Sequence, residues 1–168
     1  LGRKLPYDLL KDLTPVGLIA STPMLIVVQV NAPVKTLREL IDMARAKPRT
    51  VSYGSSGAGS MGHIGMELLA AQSKVQLLHV PYRGSAQILP DMLAGRVQFM
   101  FDTAVFIAPH MQAERLRGLA VSTLNRTPLM PDLPALSEFG MAGFDAAAWL
   151  GMVAPAGTPR PAVDRIAA

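Results

Sequence analysis

Between residues 24 and 122 the chain alternates strand-length apolar runs with stretches of helical period, and few folds accommodate that alternation. Residues 24–30 form a continuous run, β-branched at Ile26, Val27, Val28 and Val30, that reads as a strand covered on both faces. Thr36-Leu37-Arg38-Glu39 has the form of a capping box, in which Thr and Glu satisfy orphan amides at a helix start. Leu37, Leu40, Ile41 and Ala44 then make one apolar stripe, and Pro48 stops the helix. A short strand at 51–53 follows, then a helix from Met61 to about Gln72 with Met61, Ile64, Leu68 and Ala71 on one face. A strand at 75–80 precedes a helix capped by Ser85 and ended by Gly95, with Pro90 inside it to kink or shorten it. A strand at 97–101, a helix at 104–113 and a strand at 116–122 complete the series. The order predicts an α/β fold: an open, mainly parallel sheet flanked by helices on both faces.

The flanks read differently. Pro6, Pro15 and Pro23 break residues 1–23 into loop, with a turn at Pro6-Tyr7-Asp8. Residues 125–161 are punctuated by six prolines and leave room for one short helix at 134–139 and one strand at 147–153. The core must be mostly aliphatic: half the chain is apolar but only 5% aromatic, and ten Met residues fill irregular gaps. The sole tryptophan, Trp149, is expected to pack in that core. The absence of cysteine excludes a disulfide framework, a thiolate metal site and a Cys nucleophile. Net charge is +4, but the basic residues, Arg3 and Lys4 among them, are dispersed and not interleaved with aromatics. That argues for some attraction to anions and against nucleic acid as a partner. No apolar run approaches the length of a membrane span, and Leu1-Gly2-Arg3-Lys4 carries no secretory h-region. An exported protein with this sequence would have its signal removed or outside it.

The richest chemistry lies in residues 53–63, Tyr-Gly-Ser-Ser-Gly-Ala-Gly-Ser-Met-Gly-His. This loop follows a strand and opens a helix, at the sheet edge where open α/β sheets bind ligands. Its glycines allow sharp turns that expose amides, the helix start adds unpaired N–H groups, and Ser55, Ser56 and Ser60 add hydroxyls. The physical expectation is an anion site made of neutral donors. Gly57-Ala58-Gly59-Ser60-Met61-Gly62 also matches the dinucleotide fingerprint G-x-G-x-x-G. The usual acidic ribose ligand is missing, although Arg83 could serve a 2′-phosphate, which keeps NADP open. Gly54-Ser55-Ser56-Gly57-Ala58 approaches the nucleophile elbow G-x-S-x-G but lacks its last glycine; His63, His79 and Asp102 would be its partners. A glycine-rich turn with no ligand is the remaining alternative.

The loop with His63 is followed by His79-Val80-Pro81-Tyr82-Arg83-Gly84, then Gly95-Arg96-Val97-Gln98-Phe99-Met100-Phe101-Asp102. Leu116-Arg117-Gly118-Leu119-Ala120-Val121, Met130-Pro131-Asp132-Leu133-Pro134, Trp149-Leu150-Gly151 and Ala154-Pro155-Ala156-Gly157-Thr158-Pro159 come after them. Lys4-Leu5-Pro6-Tyr7-Asp8 and Lys11-Asp12-Leu13-Thr14-Pro15-Val16 precede them. The spacing of these motifs together resembles the Bug family, the solute-binding proteins of tripartite tricarboxylate transporters. The resemblance implies a periplasmic-binding-protein-like fold with a nearly complete second lobe and a truncated first lobe. Residues 24–120 would be the second lobe; 1–23 and 121–168 would be crossover and first-lobe fragments. It implies a periplasmic, non-enzymatic receptor that captures a small carboxylate, without cofactor or metal, and delivers it to membrane transporter subunits. Ser55, Ser56, Gly57, Ala58, Gly59 and Ser60 would hold the carboxylate. Asp102 would face the same cleft, as a ligand contact or as the N-cap of the next helix. His63, Tyr82, Thr103 and Trp149 are further candidates, with His63 expected to be neutral and to support the loop rather than touch the ligand. Apolar surface left uncovered by the missing lobe would favour a homodimer of the fragment.

Overall fold

The computed structural model describes residues 5–167, so Arg3, Lys4 and the start of the first family motif lie outside the described residues. The chain divides into two compact units, one of residues 22–147 and one formed by the segments before 22 and after 147.

The larger unit is a five-stranded sheet with helices. In chain order, β2 is Met24–Gln29, α1 Leu37–Ala46, β3 Ser52–Ser55, α2 Met61–Ser73 and β4 Leu78–Pro81. Then come α3 Ser85–Leu93, β5 Phe99–Thr103, α4 Ala104–Gln112, β6 Leu116–Val121 and a single 3₁₀ turn at Leu136–Phe139. The strand order is β4-β3-β5-β2-β6. Strand β3 runs parallel to β4 and β5, while β2 runs antiparallel to both β5 and β6, so four strands share a direction and one is reversed. The reversal has a physical cause. The chain enters this sheet at Met24 and leaves it at Val121, and these ends are joined, with Ser122 N donating to Met24 O at 2.9 Å. Entering and leaving at one edge obliges one strand to point the other way. The rest of the mainly parallel expectation holds.

Strand β2 is the spine: Met24 to Val28 are all buried, as a run apolar on both faces requires. Helix α1 starts as its sequence dictates. Thr36 Oγ1 accepts from Glu39 N at 3.2 Å, and the Glu39 carboxylate accepts from Thr36 N at 3.3 Å. Leu37, Leu40 and Ala44 are buried beneath it. Thr36→Ala is expected to lower stability by about 1 kcal/mol, read as a shift of the urea midpoint. An unchanged midpoint would mean that the box is redundant with packing.

Two local expectations need correction. Helix α2 does not bury Met61, Ile64, Leu68 and Ala71, which are exposed; it buries Gly62, Gly65, Met66, Leu69 and Ala70. The glycines allow close approach to β5: a Cβ on Gly65 would lie 2.3 Å from Phe101 Cε1, and one on Gly62 would lie 2.7 Å from the Phe101 carbonyl oxygen. Ser85 is not a cap either. Gly84 occupies the cap position, while Gly95 does close the helix, at φ +74° just past the C-cap Ala94 and with its N donating to Met92 O at 3.0 Å. Residues 122–147 pack with the sheet unit: Ser122 is fully buried, its hydroxyl accepting from Met24 N and donating to Ala146 O, and Phe144 is fully buried nearby in the chain.

The smaller unit holds β1 Leu13–Thr22 and β7 Ala148–Pro155, paired as a two-stranded sheet, and α5 Arg160–Ala167. Strand β1 falls where prolines suggested loop. Both strands of a two-stranded sheet are edges, and an edge strand tolerates a residue such as Pro15 that offers no donor. Trp149 sits on β7 and is 68% exposed, not packed in the core. A two-stranded sheet is too thin to bury both faces. Among the described residues no helix is long and apolar enough to cross a membrane.

Candidate functional site

The loop at residues 55–60 joins the end of β3 to the start of α2. Strand order makes this position special. The chain leaving β3 returns as β4 at one edge of the sheet, whereas the chain leaving β5 returns as β6 at the other. Connections that diverge in this way open a crevice between β3 and β5, beyond the carboxyl ends of the strands. The 55–60 loop and Asp102-Thr103 end the two strands that border it, and Tyr82 follows the neighbouring end of β4.

Two backbone angles shape the loop. Gly57 has φ +129° and Gly59 has φ +82°, both in territory that side chains avoid. Ser55 is buried, and its hydroxyl faces inward: it donates to Gly57 O at 3.1 Å, accepts from Gly57 N at 3.2 Å and lies 2.6 Å from His79 Nε2. Ser60 caps α2, its Oγ accepting from His63 N at 3.3 Å, and its hydroxyl proton stays available as a donor. Ser56 and Ala58 are exposed. The start of a thirteen-residue helix directs its partial positive charge to the same spot.

Beneath the loop lies a stack of rings. His63 and His79 are parallel, with centroids 4.1 Å apart and planes 14° apart. Tyr53 stacks on the other side of His79 at 5.0 Å. Gly59 N donates to His63 Nδ1 at 3.0 Å, and Tyr53 OH donates to Glu67 at 2.8 Å. Burial, reinforced by the neighbouring His63, holds His79 below the usual imidazole range, with Glu67 opposing. Burial and then Glu67 push the Tyr53 phenol upward. The pairing of His63 with His79 escaped sequence reasoning, because the two rings sit on α2 and β4 and share no periodicity.

The other named residues fall as follows. Asp102 is buried; its Oδ1 accepts from Thr103 N at 2.7 Å and from Thr103 Oγ1 at 3.4 Å. It is not the helix cap: Thr103 holds that position in α4 and makes no side-chain capping bond. Tyr82 donates its phenol to Asp91 at 2.7 Å, and burial together with that bond pushes it up to about 12. Its backbone supports the loop, with Tyr82 N donating to Ser55 O at 2.9 Å. Trp149 belongs to the smaller unit.

The Ser55–His79 contact has the look of a hydrolytic pair, but its geometry opposes one. An elbow nucleophile stands exposed on a turn. Ser55 is instead 1% exposed in a strand. Cavities of about 280 Å³ beside Arg38 and Lys74, and of about 280 Å³ beside Val34 and Val97, include no loop residue.

Comparison with known proteins bears on the same region. A family model described as the tripartite tricarboxylate transporter family receptor matches residues 1–168. A UPF0065 protein from the tcbD-tcbE intergenic region of Pseudomonas sp. strain P51 is 39% identical over 164 residues, covering 97% of this chain and 49% of that protein. The structure of Rpa4515 from R. palustris with adipate aligns at TM-score 0.89 and 39% identity, covering 98% of this chain and 55% of that one. MatC from Rhodopseudomonas palustris with bound malate aligns at 0.84 and 31% identity, covering 98% and 56%. The chain thus spans about half the length of the relatives it matches.

Proposed function

Because this chain belongs to the tripartite tricarboxylate transporter receptor family, we propose that its 55–60 loop captures one carboxylate of a small organic acid in the periplasm, for delivery to a membrane transporter. The observation that carries this reading is the loop itself: two positive-φ glycines, exposed Ser56 and Ala58, and a helix start, at the crevice where the connections after β3 and β5 diverge. Ser56 and Ser60 hydroxyls and the free amides of the first helical turn are the donors. Ser55 acts from below, as a shaper of Gly57. Asp102 lies at the neighbouring strand end, where a carboxylate would repel an anion, so it accepts from a ligand hydroxyl or a bridging water.

The ligand class is a di- or tricarboxylate or an aromatic acid. The bound adipate of Rpa4515 and malate of MatC support the dicarboxylate choice. A loop of amides recognises any carboxylate, so chain length and substituents are selected by the rest of the cleft.

Calorimetry of the full-length protein against adipate, malate, citrate and benzoate tests the proposal. Binding of at least one is expected, with Ser56→Ala weakening it roughly two- to tenfold, the value of one hydrogen bond. Silence from all four, or NADPH binding in their place, would overturn it. Light scattering of residues 1–168 alone tests whether this fragment forms a homodimer, and a clean monomer would remove that expectation.

A further inference from the structure

We infer that His63 is the positioning residue of the 55–60 loop: its Nδ1, unprotonated, holds the Gly59 peptide and so fixes the turn that sets the Ser56 and Ser60 hydroxyls beside the first turn of α2. This deepens the carboxylate reading and rests on it for its functional consequence.

The geometry is specific about the proton. Gly59 N donates to His63 Nδ1 at 3.0 Å, and a donor can meet that atom only through its lone pair. The loop therefore has this shape when His63 carries its proton on Nε2. A second proton, on Nδ1, would set N–H against N–H and release Gly59 from its positive-φ conformation. The ring cannot turn away freely, because it lies flat on His79 at 4.1 Å. His79 is itself held between two rings and by Ser55 Oγ at 2.6 Å. Gly57 is tied to that same Ser55 hydroxyl. The two glycines with positive φ are thus each fastened to one member of the imidazole pair, Gly59 directly and Gly57 through Ser55.

The groups around His63 decide how the pair responds to acid. His79 faces it from β4, with Tyr53 behind on β3, and Glu67 lies one turn along α2. Two stacked imidazolium rings repel, and the α2 start opposes a cation at its third position. Glu67 favours one proton, but its carboxylate is already engaged by Tyr53. A proton on His63 Nδ1 costs the Gly59 bond. Such a proton should therefore loosen the loop and weaken carboxylate binding, although a bare positive charge near the site would strengthen it.

The test uses the full-length protein. Without ligand, long-range ¹H–¹⁵N NMR at pH 8 should find His63 Nδ1 unprotonated, and the Gly59 amide resonance should move in His63→Phe. Phenylalanine keeps the stack and removes the acceptor. A proton on Nδ1, or a Gly59 amide indifferent to the change, would overturn the inference. With adipate as probe, wild-type affinity should fall on acidification over the range in which the NMR signals show His63 taking up its second proton. His63→Phe should bind roughly two- to tenfold more weakly at pH 8, one hydrogen bond's worth. His63→Asn places a non-titrating oxygen near the Nδ1 position, so it should keep wild-type affinity at pH 8 and lose the pH dependence. Affinity that rises on acidification, or that ignores both substitutions, would assign His63 no positioning role. If adipate does not bind while Nδ1 accepts from Gly59, the carboxylate reading fails and the hold of His63 on the loop stands.

Discussion

Gly65→Ala should destabilise the sheet unit by about 2 kcal/mol, although the same change in an exposed helix would stabilise it. Two effects oppose each other. Alanine gains about 1 kcal/mol of helix propensity over glycine. Against that, the new methyl would sit 2.3 Å from Phe101 Cε1 and 2.9 Å from Cδ1. Phe101 is 1% exposed and has nowhere to retreat, so the helix or the strand must shift. Overpacking of this kind costs about 1–3 kcal/mol, and a contact this short belongs at the top of the range. Sterics therefore win. The urea midpoint of the full-length protein should fall, and Phe101→Leu added to Gly65→Ala should recover part of the loss, since the two sites share one contact. A midpoint that rises with Gly65→Ala alone would mean that α2 does not lie on β5 through its glycines.

That contact also marks where sequence reading failed. Period and hydrophobicity pointed to Met61, Ile64 and Leu68 as the inner face of α2, because a glycine contributes nothing to an apolar stripe. Burial followed backbone approach instead, which is a property of the partner strand and cannot be seen from the helix alone. The strand β1 was hidden for a related reason. Pro15 reads as a breaker, yet an edge strand leaves one side of its backbone unpaired and can carry a residue without a donor. The reversal of β2 was also out of reach, since periodicity reports that a run is a strand but not which way it points. What was legible were features written locally. The Thr36–Glu39 box, the doubly covered run at 24–28 and the α/β alternation all reappear. The loop was found because glycines and serines cluster between a strand and a helix. The rings that hold it come from three different elements, so nothing local announced them.

Gly57→Ala should weaken carboxylate binding roughly five- to 150-fold while leaving the fold nearly intact. The residue sits at φ +129°, where a side chain costs about 1–3 kcal/mol of backbone strain. Steric crowding is not the issue, since the nearest atom to an added Cβ, Tyr82 O, is at 3.5 Å, an ordinary contact. The strain can appear in two places. If the free loop keeps its shape, the protein is destabilised and the ligand finds the site unchanged. If the loop relaxes, it gives up the bonds between Gly57 and Ser55 Oγ, at 3.1 and 3.2 Å, and that from Ser60 N to Gly57 O at 3.1 Å. Binding must then restore the strained form and bears the whole cost. The loop's tip is open to solvent at Ser56 and Ala58, and such segments open far below the global unfolding free energy. Relaxation is therefore the expected route, and the loss should appear in affinity rather than in the urea midpoint, the reverse of Gly65→Ala. Loss of stability with unchanged affinity would mean a loop held rigid by its rings. No loss of either would remove the positive-φ turn from the binding site.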